Sequence, residues 1–518
     1  MSDANILQIE DLRGGWNTSD PAIIADNELA EAINWYYDDQ QILTTRQGIK
    51  NFGNPMAGAV NVHSLYSIEF SSGVKHLLAA ATTATDTTVY KYNSITGNWD
   101  VLKTGLTKDL RLSFVTFKDV IYWTNGTDKV MHYNGTTVTE DAVTEKGKYL
   151  VVFNDVAFMG CIVNDKSVVY YTNANPVDLT GGFANYIVIE EDNGQIITGL
   201  QYQAGLLLVG KEKSIYSYDV VADKVDILDY SGGVASHRSW KVVENDTLYL
   251  SNRGVYGLIQ RKGTVGSLRA LSLTNNLQKV IRGIGNFTIA CAFYSEKRSN
   301  YYLAIDQDAG GRNKGLLVRN TVVGAFKPTA GWTNYVGINV NDIIEYEDSD
   351  GVSHILGANV FDGQVIEFET GYDDLGADIH SELHFKEFDF GEPTKHKTFP
   401  HVDFQGLAST NVTAKFKTEI DGREISKNFV ALGLVEGAAG VRAIGTDELG
   451  IYPLGGGPIE ADMPVDNFEI RLNTGYDSGR RIQPKIECDL TNAKLQIKKI
   501  APAVIVHPVD VFPTQNII

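Results

Sequence analysis

Short bursts of alternating apolar and polar residues, broken by Asn, Asp and Gly, run down the middle of this chain. Lys118 to Trp123 leads through a turn at Asn125-Gly126 to Lys129–Tyr133, and Asn154 to Met159 leads through Asn164-Asp165 to Ser167–Tyr171. The unit returns as Ala204 to Gly210 with Ser214 to Tyr218, Asn245 to Leu250 with Gly254 to Ile259, and Ser353 to Gly357 with Gln364 to Phe368. Each is a short apolar strand, a polar turn and a second strand alternating Val, Ile or Tyr with polar residues, as a half-buried hairpin requires. Looser copies, His76 to Ala81 with Val89 to Tyr92 and Tyr301 to Ile305 with Gly315 to Val318, bring the number to about seven between Val60 and Gly376. Hairpins recurring every roughly 35 to 55 residues predict an all-β chain built on a divergent β-propeller of about seven blades. No Trp-Asp pair recurs blade by blade, and the copies share no fixed signature.

The flanks follow other rules. Residues 1–55 hold nine Asp/Glu against three Lys/Arg and predict an N-terminal arm with one short helix. Asp26 would be its N-cap, Glu28 would sit in its first turn, and Leu29, Ala32 and Ile33 would form one apolar stripe. Residues 56–376 would form the propeller. Over 377–500 the strands lengthen and alternate regularly, which predicts an antiparallel β-sandwich. Within that region Glu436 to Pro458 carries seven glycines in 23 residues, too Gly-rich for an ordinary hairpin and suited to reaching a neighbour in an assembly. Residues 501–518, with Pro502, Pro508 and Pro513, read as an extended C-terminal tail.

Composition narrows the function. The chain has 518 residues and a formal charge of −19, which argues against gripping nucleic acid through phosphate contacts but not against letting DNA slide past. Cys161, Cys291 and Cys488 lie far apart without metal-ligand spacing, so buried free thiols in a reducing cytoplasm are expected. The first residues lack the basic and apolar regions of a signal peptide, and no run approaches a membrane span, so no membrane insertion is expected.

No motif places chemistry at a useful spacing. His380-Ser381-Glu382-Leu383-His384 has the wrong order for a zinc-protease motif and reads as strand. Asp306-Gln307-Asp308 and Asp348-Ser349-Asp350-Gly351 look like calcium loops but lack the bidentate Glu, so hairpin turns account for them. Glu190-Glu191 and Asp373-Asp374 are carboxylate pairs with nothing to set them across a bond. Accordingly no catalytic residue, cofactor or metal is expected.

One resemblance orders these pieces. Leu12-x-Gly14-Gly15-x-Asn17, then Glu28 and Asn34, then Arg46-x-Gly48 leading into β repeats, resembles the opening of neck and tail proteins of tailed bacteriophages. The layout looks like that of the tail-nozzle, or packaged-DNA stabilisation, proteins of short-tailed phages. Ala204 to Tyr218 resembles one of their blades, and Ser478-Gly479-Arg480-Arg481-Ile482 a late strand of their terminal β domain. The resemblance implies a structural virion protein assembled in the host cytoplasm: a homo-oligomeric, hexameric ring below the portal and adaptor, contacting other tail proteins. Such a ring continues the DNA channel, passes duplex DNA without tight binding, and helps to retain and release the genome. Leu12, Gly14, Gly15, Asn17, Glu28, Leu29, Ile33, Arg46, Gly48, Arg480 and Arg481 are the interface candidates. Six copies at −19 each would carry about −114, so an acidic or neutral inner wall is expected. The rivals are a tail fibre or adhesin holding host glycan, and a polysaccharide depolymerase.

Overall fold

The computed structural model describes residues 5–506 except 144, 163, 175, 180, 231, 261–267, 326, 410–413, 425–429, 432–464, 475–476 and 491–492. The described chain is almost entirely strand and forms two compact units. One comprises residues 49–321 and 335–369; the other comprises 1–48, 322–334 and 370–518.

The first unit is a β-propeller. Six four-stranded meanders span 61–106, 113–140, 147–188, 197–229, 241–272 and, for the last, 340–368 completed by Ile49–Phe52. Between the fifth and the last lie Cys291–Ser295, Asn300–Ala304 and Leu316–Asn320, an antiparallel three-strand sector of this unit. The expected count of about seven thus resolves into six complete blades and this sector, numbered sixth below. First strands follow one another round the ring, and the seventh, Val340–Glu347, packs on the first, Asn61–Glu69. Apolar side chains fill the gaps between blades: Phe70, Leu78, Ile121, Trp123 and Tyr133 join blades one and two, and Phe158, Val169, Leu200, Leu207 and Tyr216 join three and four.

The hairpins read from sequence are the second and third strands of each blade. First and second strands are joined by two-residue loops at Lys118-Asp119, Asn154-Asp155 and Ala204-Gly205. Both residues of each loop have positive φ, the primed turn whose twist matches that of the strands it joins. The ring closes through the N-terminal strand: Ile49–Phe52 pairs antiparallel with Val365–Phe368, Phe52 opposite Val365 and Ile49 opposite Phe368.

The second unit is a β-sandwich of two sheets. One runs Trp35–Tyr37, Leu43–Thr45, Leu495–Val506, His401–Ser409, Val465–Asn473. The other runs Gly15–Trp16, Glu28–Ile33, Ile379–Phe385, Ile482–Leu490, Ala414–Ile420. Ala414–Ile420 alternates buried and half-buried positions strictly. Phe404 of the first sheet meets Phe416 and Phe385 of the second at ring-centroid distances of 4.9 and 6.4 Å, which fixes the core between them.

Three expectations change. The helix expected at Asp26–Ile33 is the strand Glu28–Ile33, parallel to Gly15–Trp16 on one side and antiparallel to Ile379–Phe385 on the other. Leu-Ala-Glu-Ala favours helix locally, but a helix this short is marginal alone and the strand is held by neighbours on both edges. Residues 5–48 are therefore no separate arm: they share the sandwich unit with the C-terminal region. The tail expected from 501 continues as strand to Val506. Residues 507–518 and the Glu436–Pro458 loop lie outside the described residues.

Phe404 is fully buried, so F404A should destabilise the sandwich by about 3–5 kcal/mol. Urea unfolding followed by circular dichroism checks this, and a transition unmoved from the wild type would exclude the packing described.

Candidate functional site

The residues flagged as chemistry in the sequence are occupied by local structure. His380 Nδ1 lies 2.6 Å from Asp489 and Nε2 2.7 Å from Glu382; the two carboxylates raise its pKa. His384 is 3.6 Å from the same Glu382, and no group of His, Cys, Asp or Glu among the described residues is arranged to hold a metal. Asp306 accepts the backbone N–H of Gly310 and Gly311, each at 3.0 Å, and Asp348 accepts those of Asp350 and Val352, each at 2.9 Å. Both loops are turns closed by their own carboxylates. Glu190 accepts from Tyr216 and Asn193, and Asp374 is committed to Arg46. Burial raises the pKa of all three thiols, that of Cys291 to about 12, so none is an activated nucleophile.

The N-terminal candidates instead form a connected cluster inside the sandwich unit. Gly15 has φ +77°, and a Cβ there would lie 2.7 Å from the Gly331 nitrogen; at Gly14 it would lie 2.4 Å from the Asn27 oxygen. Only glycine fits such backbone approaches. Asn17 Nδ2 donates to Glu28 Oε2 at 2.7 Å, Ala25 N–H donates to the same oxygen at 2.9 Å, and Lys327 Nζ reaches Oε1 at 2.6 Å. Burial pushes the Glu28 pKa up, but Lys327 and the two hydrogen-bond donors outweigh it and hold the carboxyl below its usual range. Tyr37 donates to the Leu12 carbonyl at 2.8 Å, and Leu29 is fully buried, whereas Ile33 is half-buried.

Arg46 is the centre of the second half of the motif. It is 2 % exposed and grips Asp374 with both terminal nitrogens, at 2.8 and 2.5 Å, while its Nε donates to Asn34 Oδ1 at 2.9 Å. Asn34 has φ +60°, and its Nδ2 donates to the His380 carbonyl at 2.6 Å. A Cβ at Gly48 would lie 1.8 Å from the Asp373 oxygen. Of the late pair, Arg480 is exposed with its backbone N–H on Asp421, and Arg481 pairs with Glu387 at 3.4 Å. Lys485 and Lys499, further along the chain, pair with Glu419 and Glu10, so these charges too are matched within the unit.

A third cluster escaped sequence reasoning. Arg111, at the entry to blade two, donates to the Ile289 carbonyl at 2.7 Å and to Asn341 Oδ1 at 3.0 Å. Arg238, at the entry to blade five, donates to the carbonyls of His63 and Leu112 at 2.8 and 2.6 Å and to Ser64 Oγ at 2.7 Å, and pairs with Asp342 at 3.0 Å. These partners belong to the first strands, or their approaches, of blades one, two, six and seven. First strands of non-adjacent blades meet only at a propeller's axis, so the two guanidinium groups tie the ring together across its centre. Burial, then the charges of Arg238 and Arg111, pushes the His63 pKa down to about 3. Desolvation, then the charges of Lys241 and Arg238, lowers that of the half-buried His237 to about 3 as well. The available signal was faint: Arg111 and Arg238 lie just ahead of the short first strands Ser113–Phe117 and Lys241–Val243, whereas the hairpin pattern marks only second and third strands.

The fold and these clusters define a β-propeller joined to a β-sandwich. No family description and no curated protein matches the chain. Among solved structures, YCF48 bound to D1 peptide is similar over 61 % of this chain and 94 % of its own, at 11 % identity and a TM-score of 0.39. The extracellular domain of BT4673 from B. thetaiotaomicron is similar over 66 % of this chain and 58 % of its own, at 13 % identity and a TM-score of 0.31.

Two outcomes test the clusters. R46M or D374N alone strands a buried charge and should cost about 3–5 kcal/mol in urea unfolding, while R46M/D374L should cost less than the sum of its single changes. Strict additivity would show that the two side chains do not interact. The depressed histidines bind fewer protons folded than unfolded. Their contribution is therefore intact above the unfolded pKa of 6.5 and is lost as pH falls from there toward about 3, at about 1.4 kcal/mol per pH unit for each. H63Q should flatten the fall of melting temperature between pH 6.5 and 4; an unchanged slope would place His63 outside the effect.

Proposed function

We propose that this protein is a structural component of a bacteriophage tail, a homo-oligomeric ring of six copies that extends the DNA channel and helps to hold and then release the genome. One observation carries the reading. The residues through which the chain resembles tail-nozzle proteins, Gly14, Gly15, Asn17, Glu28, Asn34, Arg46 and Gly48, are joined in two contact clusters of one unit or hemmed in by backbone. The resemblance thus rests on a folded device and not on scattered identities. The occupation of Glu190, Asp306, Asp348, Asp374 and His380 by local structure agrees with a scaffold role. In this reading DNA passes through the ring made by the copies, since Arg111 and Arg238 bridge each propeller's own axis. Portal, adaptor and other tail proteins are its neighbours, and the virion tail is its place.

A second reading, a glycan-holding adhesin, draws on Tyr186, Tyr202 and Tyr230, which are 65 %, 45 % and 69 % exposed on blades three and four or just after them. Electron microscopy of the purified protein should show six-fold rings with a pore wide enough for duplex DNA, and particles lacking the protein should leak packaged genome. A monomer that binds host polysaccharide, and loses that binding in Y186A/Y230A, would replace the tail reading with the adhesin.

A further inference from the structure

Where the chain passes from blade three to blade four, a buried lysine is held against a side-chain amide. Lys211 ends the strand Leu206–Lys211 and is fully buried. Its ammonium donates to the Glu190 carbonyl at 2.9 Å, to Ser167 Oγ at 3.2 Å and to Asn193 Oδ1 at 3.2 Å. None of these acceptors is a carboxylate. Burial lowers the Lys211 pKa against the pull of the Glu190 and Glu191 charges, which raises the share of neutral amine, the nucleophilic form.

The amide is fixed at both of its polar atoms. Asn193 Oδ1 also accepts the Gln195 N–H at 2.9 Å, and Nδ2 donates to Glu190 Oε2 at 3.0 Å and to the Tyr216 hydroxyl at 3.2 Å. Donors at one end and acceptors at the other leave a single orientation for the group. The Lys211 nitrogen therefore sits at the carbonyl end, with the carbonyl carbon one bond beyond Oδ1. Glu190 and Tyr216 sit at the nitrogen end, where the Tyr216 hydroxyl donates to the same Glu190 oxygen. The hydrogen bonds from Tyr216 and Asn193 hold the Glu190 carboxyl below its usual range, so it is a carboxylate able to take up a proton. A lysine that served packing alone would need no amide at its tip, nor a carboxylate and a phenol on the far end of that amide.

We propose that Lys211 and Asn193 join in an intramolecular isopeptide bond, with Glu190 and Tyr216 moving the protons. The ammonium first gives one proton to solvent. The lone pair of the amine attacks Cγ of Asn193, a C–N bond forms, and the carbonyl pair shifts onto Oδ1, where the Gln195 N–H stabilises it. The attacking nitrogen passes its extra proton to the Glu190 carboxylate, while Tyr216 delivers one to Nδ2 and regains it from Glu190. Collapse of the adduct restores the carbonyl, breaks the Cγ–Nδ2 bond and releases ammonia, which takes up the proton first given to solvent. Nothing is oxidised or reduced, and no co-reactant is consumed. The product ties the exit of blade three to the second strand of blade four by a bond that denaturant does not open.

The test is the mass of the full-length protein, denatured before measurement. The wild type should be about 17 Da lighter than its sequence, the loss of one ammonia. Chymotrypsin cuts at Tyr202, between the two positions, and the fragments bearing Asn193 and Lys211 should stay joined. K211R keeps the charge without the nucleophile and should show the full mass. In freshly made protein E190Q and Y216F should slow the loss at least about tenfold; wild-type rates in both would overturn their part in it. The Gly194 nitrogen is the rival nucleophile, because closure of Asn193-Gly194 to a succinimide also expels ammonia. A deficit that persists in K211R marks that ring and overturns the proposal, as does a gain of about 1 Da at Asn193 from simple hydrolysis. Wild-type protein that keeps its full mass after prolonged incubation overturns it without recourse to a variant.

Discussion

A propeller is a closed cycle, and the antiparallel pairing of Ile49–Phe52 with Val365–Phe368 is the contact that closes this one. Four residues from the start of the repeat region complete a blade whose other three strands come from its end. Without them Val365–Phe368 would present an unpaired edge, and the Phe52 ring would leave the cluster it shares with Leu65, Tyr90, Trp99, Tyr346 and Leu356. The same register sets the chain's exits. Ile49 lies opposite Phe368, so the polypeptide enters and leaves the propeller side by side, and the segments before and after it are delivered together. Their joint folding as one sandwich unit follows from that delivery, with Gly48 and Gly371 hydrogen-bonded at 3.0 Å.

Two kinds of force hold the ring. Between blades the contacts are apolar and repeat with the blade, which makes stability a sum of neighbour terms. At the axis the contacts are polar and do not repeat. Arg111 and Arg238 join first strands that share no hydrogen-bond ladder, through carbonyls at the strand entries. The apolar gaps set spacing, and the guanidinium forks set which strands stand opposite each other.

How much of this was legible depended on the kind of signal. Second and third strands were read in every blade because turn residues such as Asn125, whose side chain accepts the N–H groups of Thr127 and Asp128, punctuate alternating runs. First strands such as Ser113–Phe117 and Lys241–Val243 are short and irregular in burial, and with them the axial residues were missed. At Glu28–Ile33 local helix propensity pointed the wrong way, because the partners that decide the matter, Gly15–Trp16 and Ile379–Phe385, are distant in sequence or too short to stand out. Gly14, Gly15, Asn17, Arg46 and Gly48 were singled out by pattern, yet no pattern says that Arg46 finds Asp374; that contact joins residues 328 positions apart.

The closing strand also sets a clock. Ile49–Phe52 leaves the ribosome long before Val365–Phe368 exists, and at typical elongation rates of roughly 5–20 residues per second the wait is on the order of 15–60 s. Throughout it the first blade has no neighbour on one flank, and Leu65, Leu77 and Tyr90 must be shielded by transient collapse or by a chaperone. Nascent chains are then most vulnerable to one another when polysomes are dense.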